Sequence, residues 1–232
     1  MTPSVSDSLL ARYSSAYGDE MGAIMHALWN ETAWLYVVWH QFETLFGEKA
    51  SRVEILNRGA PVFFRIVQDV LWDQTLLAIA RLVDPPQSPG KGERRNLTVM
   101  GLSAHIQDQL LREEVENLCA IARVKASFAV DWRNRRIAHH DLMLRLDTPT
   151  TPLKPASRLK VREAMDAIAA VTQHIDLRIR ETDLVYDWSS NPGDALSVLK
   201  RLRDGLAWQQ EYFERKKRGE LGPDDFNPSA DI

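Results

Sequence analysis

The feature that most constrains the fold is a helical spacing of apolar residues along most of the chain. Between Gly18 and Gly47, apolar side chains recur mainly at intervals of three, four or seven residues, which places them on one face of an α-helix. This face comprises Met21, Ile24, Leu28, Trp34, Leu35, Val38, Phe42, Leu45 and Phe46. The sequence contains no strand-like alternation of useful length, no internal repeat and no glycine-rich phosphate loop. It therefore predicts an all-α protein.

Glycine and proline residues divide the chain into further helices, because proline cannot continue a helix and also restricts the residue before it. The segment Asn191-Pro192-Gly193-Asp194 predicts the start of the last helix, with Pro192 at its first position. Ser157 or Arg158 starts the helix before it. The remaining predicted helices cover residues 19–47, 51–56, 61–83, 97–108 and 111–138, the last of them bent near Ser127.

Helices of this number and length pack most simply as an up-and-down bundle of four to five long helices. We predict one domain over residues 1–232, with a core at about 19–217 and a flexible tail at 218–232. The proline- and glycine-containing stretch 85–96 is expected to be an exposed loop rather than a linker, since neither side alone holds a complete set of helices. The single cysteine, Cys119, excludes an intrachain disulfide and is expected to be an inert core residue.

Composition and charge narrow the classes of function. A net charge of −3 excludes a surface that attracts polyanions everywhere, so any contact with nucleic acid must be local. No apolar run reaches the length of about 18 residues that a membrane span needs, and residues 1–6 lack the features of a secretory signal. We therefore expect a cytoplasmic protein with no membrane contact.

The densest group of chemically capable side chains lies between residues 131 and 141. Three arginines and two histidines occur within eight residues: Arg133, Arg135, Arg136, His139 and His140. Arginine holds phosphate oxygens with a permanently charged fork, and histidine exchanges protons near neutral pH. Together they suit transesterification at an RNA phosphate without a metal. No second cluster with metal-ligand spacing accompanies the histidines, so neither a metal nor another cofactor is predicted.

The spacing leaves the choice of histidine open. On an unbroken α-helix at about 100° per residue, His140 lies within about 20° of Arg133, and His139 lies about 120° away. If the helix loosens after Ala138, His139 can instead turn toward Arg133. Both histidines therefore stay candidates.

This segment resembles a known motif. Arg133-Asn134 followed by Ala138-His139 is similar to the R-x(4–6)-H signature of the HEPN superfamily, in which a polar residue commonly follows the arginine. The flanking Trp132 and Ile137 to Asp141 resemble the AbiU-type branch, which is linked to phage abortive infection. Residues 76–84, Leu-Leu-Ala-Ile-Ala-Arg-Leu-Val-Asp, resemble a second block of that branch. The similarity covers most of residues 20–215.

The resemblance implies a HEPN-like helical bundle that forms a homodimer and brings two motifs into one cleft. It implies a metal-independent endoribonuclease in antiviral defence or toxin–antitoxin systems, with RNA as substrate and an antitoxin or defence protein as a further partner. Arg133 and His139 match the signature with five intervening residues, Asn134 is the polar companion, and His140 gives a six-residue variant. Arg135 and Arg136 are expected to bind RNA.

Less specific interpretations stay open beside this one. A basic helix end opposes the negative pole of the helix dipole and needs no catalytic role. The chain could equally be a helical module that binds RNA or a protein without cleaving, or a plain helical scaffold. Arg81 and Asp84, at a predicted helix end, are expected at most to close a salt bridge. The tryptophans Trp29, Trp34, Trp39 and Trp72 are expected in the core or a dimer interface.

Overall fold

The structure, a computed structural model, describes residues 5–87, 94–138, 146, 151–186, 193–222 and 225. The α-helices of this part are α1 (Val5–Tyr17), α2 (Asp19–Phe42), α3 (Ala50–Gly59), α4 (Pro61–Leu82), α5 (Gln109–Lys125), α6 (Ser127–Trp132), α7 (Arg158–Arg180) and α8 (Ala195–Arg218). Two π-helices (Glu43–Gly47 and Arg133–Ile137) and a 3-10 helix (Val99–His105) complete them. No strand occurs among the described residues, which confirms the predicted all-α helical bundle.

The chain forms two compact units, and the first comprises residues 1–40 and 69–188. Within it, α5 packs along α7, and the 3-10 helix packs against both of them. The most deeply buried side chains of this unit include Leu28, Leu76, Ile79, Leu102, Val115, Met165, Ile168 and Ile175. Cys119 is also buried, its thiol donates to the carbonyl of Val99 at 3.4 Å, and burial raises its pKa to about 11. This confirms the prediction of an inert core cysteine.

The second unit comprises residues 41–68 and 189–232. Here α3 packs against α8, and both contact the π-helix Glu43–Gly47. Leu45, Leu56 and Leu199 are buried in this unit. The single domain over residues 1–232 stays a prediction.

Side-chain caps explain where two helices begin. Ser157 accepts a hydrogen bond from the backbone N–H of Lys160, so α7 begins at Arg158 as predicted. The predicted start of the last helix is wrong, because α8 begins at Ala195 with Asp194 as its cap. Gly193 has a φ of 105°, a conformation that no helix contains, so the helix can begin only after it.

The structure corrects two further helix boundaries. The helix predicted over 97–108 is a shorter 3-10 helix, because Thr98 is extended and caps it while Asp108 caps α5. The helix predicted over 111–138 is interrupted close to the predicted bend near Ser127: α5 ends at Lys125, Ala126 forms a turn, and α6 begins at Ser127. Its last part is a π-helix, which begins after Trp132.

Trp34 was predicted on a buried face but is exposed, and two other large apolar side chains, Phe213 and Ile179, are exposed as well. Trp34, which is 60% exposed, lies six residues from Leu28 and hence about 120° around the helix from it. Phe213 is 49% exposed and contacts the ring of its neighbour Tyr212. Ile179 is 41% exposed, one residue before α7 ends at Arg180. No described helix combines the length and apolar character that a membrane crossing requires.

Candidate functional site

The predicted motif begins where the backbone changes from an α-helix to a π-helix. After Trp132 the backbone hydrogen bonds span five residues instead of four. The N–H of Ala138 donates to the carbonyl of Arg133, five residues earlier, at 2.8 Å. Short π-helical turns inside helices are frequent at functional sites. Residues 133–137 therefore do not form the straight α-helix that was assumed when the angular positions of the two histidines were compared. His139 and His140 lie outside the described residues, so the choice between them stays a prediction.

The guanidinium of Arg133 is held from two directions. Its Nη1 donates to both carboxylate oxygens of Asp84, at 2.6 Å each, and its Nε donates to Oδ1 of Asn134 at 3.0 Å. The side chains of Arg133 and Asp84 are 21% and 24% exposed, so this ion pair lies at the protein surface without being fully solvated. No described residue accepts a hydrogen bond from Nη2 of Arg133. Asp84 and Asn134 thus fix the orientation of the guanidinium.

Arg135 holds the segment that precedes α7. Its Nη2 donates to the carbonyl of Thr151 at 2.6 Å, and Trp132 Nε1 donates to the carbonyl of Lys154 at 2.8 Å. The N–H of Lys154 in turn donates to Asp131 Oδ2 at 2.8 Å. These hydrogen bonds connect residues 151–154 to the helical segment 131–135, in which the motif begins. The contacts of Arg135 within the chain are therefore structural, whatever it contributes to RNA binding.

Arg136 lies on a tryptophan instead of pointing away from the protein. Its guanidinium carbon is 4.8 Å from the ring centroid of Trp132, which is a cation–π contact. Trp132 meets Trp72 edge to face, and Trp72 in turn contacts the buried Trp39. Trp39 and Trp72 are two of the tryptophans predicted in a core or interface. They form an aromatic cluster with Trp132, the residue that directly precedes Arg133. Arg136 remains exposed and can also reach a ligand.

Asp73 lies close enough to Arg136 for the charge of the guanidinium to affect the pKa of its carboxyl group. Burial raises the pKa of the Asp73 carboxyl above its usual value, and the charge of Arg136 opposes that rise. A half-buried acidic group therefore lies within electrostatic reach of Arg136.

A cavity of about 380 Å³ is lined in part by Asp84. Its apolar wall contains Ala78, Leu82 and Leu97, and its polar wall contains Glu31, Arg81, Asp84 and Asn96. All of these residues belong to the first unit. Asp84 is thus both a wall of the cavity and the partner of Arg133.

The structure brings Arg133, Asn134 and Asp84 into contact. The sequence analysis had predicted a site role for the first two but not for Asp84. Asp84 closes a salt bridge, as expected, but with Arg133, which is 49 residues away in the chain. The signal that could have found it was the second block of the resemblance, residues 76–84, which ends at this aspartate. No group of three or more residues among the described His, Cys, Asp and Glu could hold a metal ion.

Comparison with known proteins identifies the class and then the family. The fold is all-α, and the HEPN family model described as AbiU2 matches residues 18–196. Because this match covers most of the chain, the protein belongs to the HEPN superfamily and, within it, to the AbiU2 family. The match includes both residues 76–84 and residues 131–141, and it confirms the predicted AbiU-type resemblance. No curated protein and no solved structure matches the chain.

Proposed function

We propose that this protein is a metal-independent endoribonuclease of HEPN type that acts in abortive infection. The observation that carries the proposal is the arrangement of Arg133. Asp84 and Asn134 fix its guanidinium, which we propose to bind a phosphate oxygen through Nη2, the nitrogen that donates to neither of them. A preorganised donor of this kind stabilises charge that develops in a transition state without having to reorient.

The proposed reaction is transesterification within the RNA chain. The ribose 2′-oxygen attacks the adjacent phosphorus, the bond from phosphorus to the 5′-oxygen breaks, and a 2′,3′-cyclic phosphate and a 5′-hydroxyl result. A motif histidine, His139 or His140, takes the proton of the 2′-hydroxyl, and a protonated histidine gives one to the leaving oxygen. Arg133 stabilises the charge on the phosphorane, and Asn134 orients the phosphate or the histidine.

The biological part of the proposal is supported by the family to which the chain belongs. The protein acts in the cytoplasm as a homodimer, in which two Arg-x5-His motifs share one cleft and can supply two histidines. Arg135 and Arg136 contribute positive charge to RNA beside the reacting phosphate. Such an activity is harmful to its own cell, so an antitoxin or another defence protein is expected to restrain it.

A second function is a non-catalytic helical module that binds RNA or a protein. The contact of Nη1 of Arg133 with both carboxylate oxygens of Asp84 favours it, because a carboxylate at 2.6 Å neutralises much of the charge that a phosphate would use. Salt-sensitive RNA binding without cleavage would support this alternative.

The test is cleavage of a labelled RNA in the presence of EDTA by the wild-type chain and by His139→Ala and His140→Ala variants. We expect cleavage that survives the chelator and falls by about a hundredfold or more when the acting histidine is lost, as expected for loss of a general acid or base. If His140→Ala is inactive and His139→Ala is active, the residue assignment changes and the proposal stands. Cleavage that both variants retain would overturn it.

A further inference from the structure

The cavity beside Asp84 is a second feature of the site, and the roles proposed for Arg133 and the histidines do not use it. It is bordered by α2 through Glu31, by the end of α4 through Ala78, Arg81 and Leu82, and by the segment that contains Leu97. That segment is fixed, because Asn96 donates through its side chain to the carbonyl of Pro85 at 2.8 Å and through its N–H to that of Pro86 at 2.7 Å. The cavity is therefore formed by helices and by a backbone held in place.

We propose that this cavity binds the nucleobase next to the scissile phosphate and prefers a base with an exocyclic amino group to uracil. The inference rests on the proposed function, because the reacting phosphate is assigned to Arg133. Asp84 supplies the geometry: its oxygens accept from Arg133 while the residue lines the cavity. A phosphate bound by Arg133 and a base in the cavity would thus have Asp84 as a common neighbour.

The size and lining of the cavity suit a base. Its volume of about 380 Å³ lies at the lower end of the range of about 300–1,000 Å³ that small-molecule sites occupy. Ala78, Leu82 and Leu97 offer an apolar surface to a ring face. Arg81, exposed at the rim, offers a guanidinium plane on which a base can stack.

The polar wall determines which bases fit. Glu31 and Asp84 both line the cavity, and an ionised carboxylate only accepts hydrogen bonds. Asp84 gives one acceptor direction on each oxygen to Arg133 and retains others, since a carboxylate has about four. The amino group of cytosine is a donor that matches this wall. Uracil carries a carbonyl oxygen at the same ring position. This oxygen and the carboxylate oxygens are all hydrogen-bond acceptors, so they cannot form a hydrogen bond with one another.

Two nucleotides of nearly equal size test the proposal without any cleavage step. The full-length chain is titrated with 3′-CMP and separately with 3′-UMP, and dissociation constants are measured by calorimetry or NMR. We expect 3′-CMP to bind about tenfold more tightly, the effect of one base-specific hydrogen-bonding pair at a partly exposed site. Glu31→Gln should reduce this ratio to about two or less, because an amide can donate to the uracil carbonyl.

A matched control separates a local effect from one of net charge. Glu116→Gln makes the same change on an exposed glutamate of α5 that does not line the cavity, and it should leave the ratio unchanged. Equal affinities for the two nucleotides, no saturable binding of either, or a ratio that Glu31→Gln leaves intact would overturn the base site. If the wild-type protein cleaves no RNA but still binds 3′-CMP more tightly than 3′-UMP, the proposed function is overturned and the base site stands.

Discussion

Replacing Arg133 by alanine should lower the single-turnover rate of RNA cleavage by about a hundredfold to a thousandfold, which is the usual loss when one donor to a developing oxyanion is removed. The loss should appear in the rate constant at saturating enzyme more than in RNA affinity, because Arg135 and Arg136 still supply positive charge. Arg133→Lys should recover little of the rate. One ammonium cannot hold Asp84 and Asn134 and also reach the phosphate in the geometry of the planar fork.

Arg123→Ala is the matched control for this prediction. Arg123 is an exposed arginine on α5 in the same unit, so its removal changes the net charge equally without touching the site. Its cleavage rate should equal that of the wild type. A similar decrease in both variants would mean that only overall charge matters, and an Arg133→Ala protein that cleaves normally would remove Arg133 from the mechanism.

Replacing Asp84 by asparagine should lower kcat and KM together. Without the carboxylate, the charge of Arg133 is no longer neutralised, so RNA should bind more tightly. The guanidinium also loses the contact that fixes its direction, so the chemical step should slow by about tenfold to a hundredfold, the cost of a misplaced catalytic group. Asp84→Glu, which restores the charge on a longer side chain, should recover part of kcat and raise KM again.

This opposite effect on rate and affinity distinguishes positioning from a purely structural role. If the ion pair only stabilises the fold, Asp84→Asn should lower the free energy of unfolding and leave kcat and KM unchanged in the folded fraction. Urea denaturation measured beside the kinetics gives the folded fraction. We expect the free energy of unfolding to fall by about 1–3 kcal/mol in either case, since the variant leaves a partly buried cation without its charged partner, so the changes in kcat and KM decide between the two roles.

The sequence predicted the helices well wherever apolar spacing and a local cap agreed. The start of α7 is one such case: the periodic residues begin just after Ser157, and its side chain caps the helix. The start of α8 was misplaced, because Pro192 is a common first residue of helices and nothing in the sequence reveals the left-handed φ of Gly193. Trp34 was placed in the core because a mostly helical spacing tolerates one residue about 120° off the buried face.

For the site, the sequence predicted the residue types but not their partners. Arg133 and Asn134 were recognised as neighbours in one motif, and the family match contains that motif. The pairing of Arg133 with Asp84 joins residues that are far apart in the chain, so no spacing rule could find it. The π-helix over Arg133–Ile137 was equally invisible, because its backbone hydrogen bonds span five residues, as from Ala138 to Arg133, and no sequence pattern indicates this.

The most direct test of the central claim uses two oligonucleotides that differ by one oxygen atom. One is RNA with its preferred cleavage position mapped, and the other carries a 2′-deoxyribose at that position; both are incubated with the protein in EDTA. We predict that the first gives a 2′,3′-cyclic phosphate and a 5′-hydroxyl, and that the second stays intact at this position while binding equally well. Cleavage of the deoxy substrate at the same position, or activity that EDTA removes, would contradict metal-independent transesterification by this protein.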